Sequence, residues 1–219
     1  KTASVTISIK PNPVVNAGPD KSITLPTSSV SLSGSASDPD GSIASYQWTK
    51  VSGGYAKLVN ATKSKLDAID MVGGTYTFRL TVKDNKGATA SDEVEVIVNS
   101  PPVARAGSDK NVTLPTSSVT LKGSASDADG SVRSYLWSKH SGPMLRLKNN
   151  RSSTATMSNL QPGTYVMKLM VRDNMDAAGF DYVKIVVKRG SVSVSNIDES
   201  EATRIAFESS IDTNEIGRS

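Results

Sequence analysis

The sequence predicts an all-β protein made of two tandem sandwich domains, and three observations support this prediction. A long segment repeats, since Pro13 to Val98 is matched without a gap by Pro102 to Val187, 89 residues further along the chain. A period this long indicates whole tandem domains, because solenoid units recur every ~20–50 residues. Apolar residues alternate with polar ones in runs bounded by turn residues. Helical periodicity is almost absent from both copies.

The repeat sets the expected domain boundaries. Residues 1–10 resemble the strand that ends each copy, so we interpret them as the last strand of a preceding repeat or as a linker, and expect the native protein to be longer. Residues 11–99 form the first domain and residues 100–188 the second. Residues 189–219 do not begin a third copy, so we interpret them as a tail or as the start of a further domain. Part of this segment could form one short helix.

The first strands of each domain are short. Ile23 and Leu25 alternate just before Pro26, which suits a strand at a sheet edge because proline cannot donate a ladder hydrogen bond. Val30 and Leu32 form the next short strand. The same pattern returns in the second copy.

The central strand carries the tryptophan. Tyr46 and Trp48 share one face of a strand, whereas Ile43 has the opposite parity, which predicts a bulge or bend between them. Trp137 takes the place of Trp48 in the second copy. We expect both tryptophans to lie in the cores rather than to stack on sugar rings.

Two long strands end each domain. Residues 75–83 alternate with Tyr76, Phe78, Leu80 and Val82 on one face, and residues 94–98 continue the pattern. Tyr76 and its counterpart Tyr165 follow Gly-Thr, and we expect their hydroxyls to tie a loop to the sandwich. The linker Asn99-Ser100-Pro101-Pro102 is short and rich in proline, so the domains are expected to form a stiff rod.

Composition excludes several classes of function. The chain has no cysteine, which rules out cysteine nucleophiles and thiolate metal sites and favours a bacterial surface or secreted protein over an animal ectodomain. The net charge is +4 with the basic residues scattered, so we expect no nucleic-acid binding. No run is apolar enough to span a membrane. His140 is the single histidine, expected in an exposed loop, and no nucleophile or phosphate-binding motif is present, so we expect no enzyme.

Several motifs together resemble the polycystic kidney disease (PKD) domain family. They are Asn16-Ala17-Gly18-Pro19-Asp20, Gly34 to Gly41, Ile43 to Trp48, Gly74-Thr75-Tyr76 and Leu80 to Gly87. Most recur in the second copy. The resemblance implies immunoglobulin-like β-sandwiches that act as spacers or binding modules without catalysis.

One departure separates this chain from the commonest PKD version. That version continues after the tryptophan as Asp-Phe-Gly-Asp-Gly, whereas here the chain reads Trp48-Thr49-Lys50-Val51-Ser52-Gly53. The variant is similar to PKD arrays in bacterial surface and secreted proteins and in animal receptors.

Two acidic turns are candidate calcium sites. Two carboxylates spaced i, i+2 in a Gly-terminated turn have the oxygen chemistry that Ca²⁺ prefers. Asp84 and Asp173, each at the end of a neighbouring strand, would add a carboxylate if the loops meet at one pole, and some PKD domains that look similar here bind calcium near this turn. The alternative is a plain turn in which the carboxylates accept backbone hydrogen bonds. The six candidate ligands are Asp38, Asp40, Asp84, Asp127, Asp129 and Asp173.

Other positions offer weaker candidates. Asn16 would contribute an oxygen in the first copy, but Arg105 stands there in the second. Tyr55 and Met144 differ between the copies in loops where a ligand would bind, or where the sequence has simply drifted. Asn60, Asn111 and Asn150 open glycosylation sequons, which matter only in a eukaryotic source.

The sequence therefore predicts a monomeric, extracellular, bacterial stalk or adhesin module that contacts protein or carbohydrate on a surface and displays other domains of a longer chain. A binding module appended to a secreted polysaccharide- or protein-degrading enzyme is the second reading. A receptor ectodomain is the third.

Overall fold

The computed structural model describes residues 11–190, and all of the regular structure in this range is β-strand. The predicted first strand in residues 1–10 and the tail beyond residue 190 lie outside the described residues. The prediction of an all-β protein with two tandem sandwiches is confirmed. No helix in the described range is long and apolar enough to span a membrane.

The first repeat contains nine strands in three sheets. They are β1 (Val14–Asn16), β2 (Lys21–Thr24), β3 (Val30–Ser33), β4 (Ser35–Ser37), β5 (Ile43–Ser52), β6 (Lys57–Val59), β7 (Lys65–Ile69), β8 (Gly74–Asp84) and β9 (Thr89–Asn99). The main sheet has the order β2-β9-β8-β5, a second sheet has the order β3-β7-β6, and β1 pairs with β4.

The second repeat copies this arrangement strand by strand. Its strands are β10 (Val103–Arg105), β11 (Lys110–Thr113), β12 (Ser118–Lys122), β13 (Ser124–Ser126), β14 (Val132–Ser141), β15 (Arg146–Lys148), β16 (Thr154–Ser158), β17 (Gly163–Asp173) and β18 (Ala178–Lys188). The sheets have the orders β11-β18-β17-β14, β12-β16-β15 and β10-β13.

Pairing is antiparallel except at one edge of each main sheet. There β2 runs parallel to β9, and β11 runs parallel to β18. The prediction of an edge strand before Pro26 is confirmed, because β2 is the outermost strand of its sheet. The predicted irregularity after Ile43 is also confirmed as a register shift between Ile43 and Ser45.

Each repeat has its own hydrophobic core, as predicted. The alternation in β8 buries Tyr76, Phe78, Leu80 and Val82 completely. Each such side chain stabilises the fold by about 1.5–3 kcal/mol relative to exposure. Trp48 is buried in the first core and its counterpart in the second, so the prediction of core tryptophans is confirmed.

The corner tyrosines also behave as predicted. The Tyr76 hydroxyl accepts the Val72 N–H at 3.0 Å and lies 2.8 Å from the Val72 carbonyl oxygen. In the second repeat Tyr165 makes the same pair of contacts with Gln161, at 2.9 and 3.1 Å. A buried ring in the core therefore holds the loop before its own strand.

The structure corrects one prediction and adds strands that the sequence analysis missed. His140 lies in β14 rather than in a loop, with its ring exposed beside Tyr182. The missed strands are β1, β4, β6 and β7 and their counterparts, most of which have only three residues.

Candidate functional site

The two acidic turns lie at the corresponding pole of each sandwich. In the first repeat Asp38 and Asp40 follow β4, and Asp84 is the last residue of β8. The two loops are joined, because Asn85 N donates to the Ser42 carbonyl at 2.9 Å and Ser42 N donates to Asn85 Oδ1 at 3.2 Å. We call Asp38, Asp40, Asp84 and Asn85 the first acidic pole. We call their counterparts Asp127, Asp129, Asp173 and Asn174 the second acidic pole.

Asp84 is the buried carboxylate of the first acidic pole, with 2% of its surface exposed. Its Oδ1 accepts the backbone N–H groups of Lys86 and Ala88, each at 2.8 Å, so this oxygen organises the turn after β8. Its Oδ2 is buried and has no hydrogen-bond partner among residues 11–190. Buried polar atoms are almost always satisfied, and an orphan oxygen in a native fold calls for water or an ion.

Asp38 carries a second orphan oxygen in the same pole. Its Oδ2 is buried, and no described residue donates a hydrogen bond to it. A Cβ atom placed on Gly41 would lie 2.5 Å from this oxygen and 2.3 Å from Asn85 Oδ1, so the glycine lets the backbone close over both oxygens. Oxygen atoms of two side chains, one from each loop, thus converge beneath one glycine.

Asp40 differs because a lysine neutralises it. The Lys86 ammonium lies 2.6 Å from Asp40 Oδ2. The hydrogen bond from Lys86 holds the pKa of Asp40 below its ordinary value. Lys86 therefore places a positive charge at the side of the first acidic pole.

The second acidic pole is built on Asp173, which is completely buried. Its Oδ1 accepts the N–H groups of Met175 and Ala177 at 2.8 Å, as Asp84 does in the first repeat. Its Oδ2, however, accepts Asn99 Nδ2 at 2.9 Å. Asn99 is the last residue of the first repeat and is itself buried. The oxygen that is orphaned in the first pole is thus satisfied by the neighbouring repeat in the second.

The other two carboxylates of the second acidic pole, Asp127 and Asp129, have different environments. Both carboxylate oxygens of Asp127 are buried and have no hydrogen-bond partner within the described part of the chain. Burial raises the pKa of Asp127, and repulsion from the Asp129 and Asp173 carboxylates adds to the rise. Asp129 Oδ2 accepts the Ser100 N–H at 2.8 Å, so a second contact joins this pole to the linker.

The two poles differ most clearly in charge. Met175 stands in the second repeat where Lys86 stands in the first, so no lysine of that loop flanks Asp129. Within residues 11–190 no three His, Cys, Asp or Glu side chains form a metal-holding group. A cation at either pole would therefore need amide or carbonyl oxygens beside the carboxylates, of which Asn85 Oδ1 is the nearest example.

The structure also settles where the weaker candidates lie. Asn16 pairs with Ser35 at the end of β4 away from Asp38, and its Oδ1 accepts the Gly18 N–H at 2.7 Å. Asn16 is therefore not part of the first acidic pole. Tyr55 and Met144 are exposed, with 66% and 78% of their surface accessible.

Sequence reasoning missed Asn99 and Ser100, which reach from the linker to the second acidic pole. A signal for Asn99 was present, because lysine occupies the corresponding position one repeat earlier at Lys10 and one repeat later at Lys188. Unlike a lysine, an asparagine can be buried against the neighbouring domain and donate a hydrogen bond to a carboxylate there without burying a second charge.

Comparison with known proteins gives one family and several relatives. The family described as "K319L-like, PKD domain" matches residues 17–98 and again residues 106–187. The mouse Dyslexia-associated protein KIAA0319-like protein is 42% identical over 197 residues, covering 85% of this chain and 19% of that protein. The human Dyslexia-associated protein KIAA0319 is 37% identical over 185 residues, covering 81% of this chain and 17% of that protein.

Among solved structures, the solution structure of the PKD domain from KIAA 1837 protein is 45% identical and has a TM-score of 0.39. It covers 42% of this chain and 92% of that domain. The chain spans about a fifth of the length of the curated relatives named above. These relatives come from mouse and human, so the expectation of a bacterial source is not supported.

Proposed function

Because this chain belongs to the K319L-like PKD domain family, we propose that its two repeats form a non-catalytic extracellular module. The module spaces neighbouring domains of a longer protein and contacts protein or carbohydrate on a surface. The observation that supports the spacer role is the joint between the repeats, in which Asn99 and Ser100 donate hydrogen bonds to Asp173 and Asp129.

The joint has a packing contact as well. A Cβ atom added to Gly73 would lie 2.0 Å from Ser100 Oγ and 3.2 Å from Asp129 Oδ2. A loop of the first repeat is thus pressed against the linker and against the second repeat. Hydrogen bonds to a charged group contribute about 1.5–3 kcal/mol, so two of them beside a proline-rich linker favour one relative orientation.

The relatives change the order of the alternatives. The two relatives named above are animal proteins. This favours a segment of an animal ectodomain over a module appended to a secreted degrading enzyme, although the chain lacks cysteine. That such an ectodomain contacts protein or carbohydrate on a surface is part of this proposal.

The spacer role is tested by measuring the distance between the repeats. Spin labels are placed on one exposed residue of each repeat, and the distance distribution is recorded by pulsed electron paramagnetic resonance. We expect a narrow distribution for the native chain and a broad one for Asn99→Ala, recorded at a temperature at which both repeats are still folded. The second repeat of the variant should melt at a lower temperature, because the buried Asp173 carboxylate loses a partner. Asn111→Ala, which removes an exposed asparagine of β11, is the matched control. A broad distribution in the native chain would contradict the spacer role.

We further propose that the acidic poles bind calcium. The orphan oxygens of Asp38, Asp84 and Asp127 support this proposal, because carboxylate oxygens are the ligands that Ca²⁺ prefers. Bound calcium would supply positive charge that offsets the repulsion among buried carboxylates. In the first pole Asp38, Asp84 and Asn85 would hold the ion, and Lys86 competes with it for Asp40.

Exchange of one residue between the repeats tests this proposal. Lys86→Met removes the competing ammonium and gives the first pole the residue of the second, so we expect tighter calcium binding there by calorimetry. Met175→Lys makes the opposite change, and we expect weaker binding at the second pole. Asp84→Asn should abolish binding at the first. Lys57→Met, at the exposed first residue of β6, is the control. Unchanged melting temperatures of the native chain and of Lys86→Met at millimolar calcium, against chelator, would rule the site out.

A further inference from the structure

The outer surface of the main sheet of the second repeat carries exposed aromatic rings. Phe180 and Tyr182 lie on β18 with 57% and 43% of their surfaces exposed. Their cross-strand partners on β17 are Met170 and Lys168. On β14, Leu136 pairs with Met170, and Ser138 pairs with Lys168. We call the surface formed by Leu136, His140, Lys168, Met170, Phe180 and Tyr182 the aromatic face.

The side chains of the aromatic face contact one another. The Lys168 ammonium lies 4.3 Å from the centre of the Phe180 ring and 5.9 Å from that of Tyr182. The His140 ring packs edge-on against Tyr182 with 5.1 Å between the ring centres. Cation–π and aromatic contacts hold side chains in place on a rigid sheet, which lowers the entropy cost of binding a partner.

The charged side chains at the outward positions of β14, β17 and β18 have one sign. Because side chains alternate across a strand, every second residue of β14, β17 and β18 points outward. The outward positions on these three strands include four cations and no carboxylate; the cations are Lys168, Arg172, Lys184 and Lys188. Lys184 has a partner at the sheet edge, since its ammonium lies 3.6 Å from Asp109.

A pocket adjoins the aromatic face. It has a volume of about 240 Å³ and is lined by Leu136, Met170, Arg151 and Arg172, together with Ser134 and Tyr135. Two arginines thus stand beside two apolar side chains at the edge of the same surface, and one guanidinium nitrogen of Arg172 donates to the Asp176 carbonyl at 2.7 Å. Arginine is well suited to bind a carboxylate with paired hydrogen bonds.

The fold does not require this surface, because the first repeat lacks it. At the positions of Phe180 and Tyr182 the first repeat has Ser91 and Glu93. There Glu93 pairs with Arg79, which stands where Lys168 stands, at 2.6 Å. Gln47 and Thr81 replace Leu136 and Met170. The same sheet is therefore polar and internally neutralised in one repeat, but apolar and cationic in the other.

We propose that the aromatic face is a docking surface for an acidic segment of a partner protein that presents an apolar or aromatic side chain. This inference rests on the proposed function, since it names the partner chemistry of the module. Exposed rings and aliphatic groups at the centre favour a protein partner over a sulfated glycan, which would offer charge but little apolar surface. The surrounding lysines and arginines match carboxylates that flank the anchor.

The experiment uses defined peptides and the whole chain. Acidic peptides of one length, each with a central Trp, Leu or Ala among Asp and Glu residues, are titrated into isotopically labelled protein and followed by nuclear magnetic resonance. We expect the Trp and Leu peptides to shift the amide signals of β14, β17 and β18 and to leave β5, β8 and β9 unchanged. The affinity should fall as salt is raised.

The matched variant exchanges the face between the repeats. Phe180→Ser with Tyr182→Glu installs the residues of the first repeat, which folds with them, and we expect at least about tenfold weaker binding, as for loss of aromatic hot spots. Absence of shifts with every peptide would overturn the proposal. So would a heparin oligosaccharide that binds equally well to the native chain and to this variant, since the surface would then be a glycan site. Neither of these two results would alter the distance distribution between the repeats. Failure of the docking proposal can therefore be distinguished from failure of the spacer role.

Discussion

At the scale of single residues, the corner tyrosines show how one hydroxyl joins a loop to a core. The ring of Tyr76 is buried, while its hydroxyl contacts the backbone of Val72 and lies 3.2 Å from the Tyr55 carbonyl oxygen. The loop that these contacts fasten precedes β8, the central strand of the first core.

Tyr76→Phe keeps the buried ring and removes only the hydroxyl. We expect the free energy of unfolding of the first repeat to fall by about 1–2 kcal/mol, because the hydrogen bonds to the loop backbone are lost. The measurement is chemical denaturation of the native chain and the variant. Tyr55→Phe, which changes an exposed ring, is the control, and an equal loss in both variants would argue against the corner role.

Residues of this kind were predictable, whereas the linker contacts were not. Trp48 and Tyr76 follow from alternation within long strands, because the parity of one residue fixes the face of the next. Asn99 and Ser100 donate to Asp173 and Asp129. The lysines at the positions equivalent to Asn99 mark this residue as unusual, but no sequence pattern identifies the carboxylates of the next domain as its partners. Their role depends on how two folded units pack.

At the scale of elements, strand length decides what the sequence can reveal. The eleven residues of β8 display five buried positions in alternation, four of them apolar, which is a strong signal. The three residues of β4, Ser35-Ala36-Ser37, contain one small apolar side chain and display no period. Short strands such as β4 form because the rest of the sandwich supplies hydrogen-bond partners for their backbone groups. Their local sequence therefore does not predict them.

The turn that contains Asp127 leads to a pH-dependent prediction. The folded state raises the pKa of this carboxyl, because burial and the neighbouring carboxylates disfavour its charge. The native state therefore holds the proton more tightly than the unfolded state. The contribution of Asp127 to stability consequently falls as the pH rises through the raised pKa, and it is most favourable in acid.

Asp127→Asn removes this charge with little change in shape. In the presence of chelator we expect the variant to melt at a higher temperature than the native chain at pH 7. The difference should shrink as the pH is lowered, because Asp127 then becomes protonated. Glu95→Gln, an exposed change in the first repeat, serves as the control. A variant that melts lower than the native chain at neutral pH in chelator would contradict the assignment.

At the scale of the whole molecule, the 89-residue period was sufficient to predict two sandwiches with separate cores. Each core consists only of residues of its own repeat. What the period could not predict is the way the copies diverge. Lys86 against Met175, and Glu93 against Tyr182, change the chemistry of a pole and of a sheet surface without changing the fold. Tandem duplication thus provides one scaffold on which two different surfaces are displayed.

The parallel edge of each main sheet bears on how the chain responds to mechanical tension. Lys21 to Thr24 run alongside Val96 to Asn99, and Leu25 N donates to the Asn99 carbonyl at 2.9 Å. When the two ends of a repeat are pulled apart, the force acts on the start of β2 and on the end of β9. The hydrogen bonds are then sheared together instead of being unzipped in turn, and the same holds for β11 and β18. A cell-surface tether assembled from such units would yield abruptly, one repeat at a time, rather than stretching gradually.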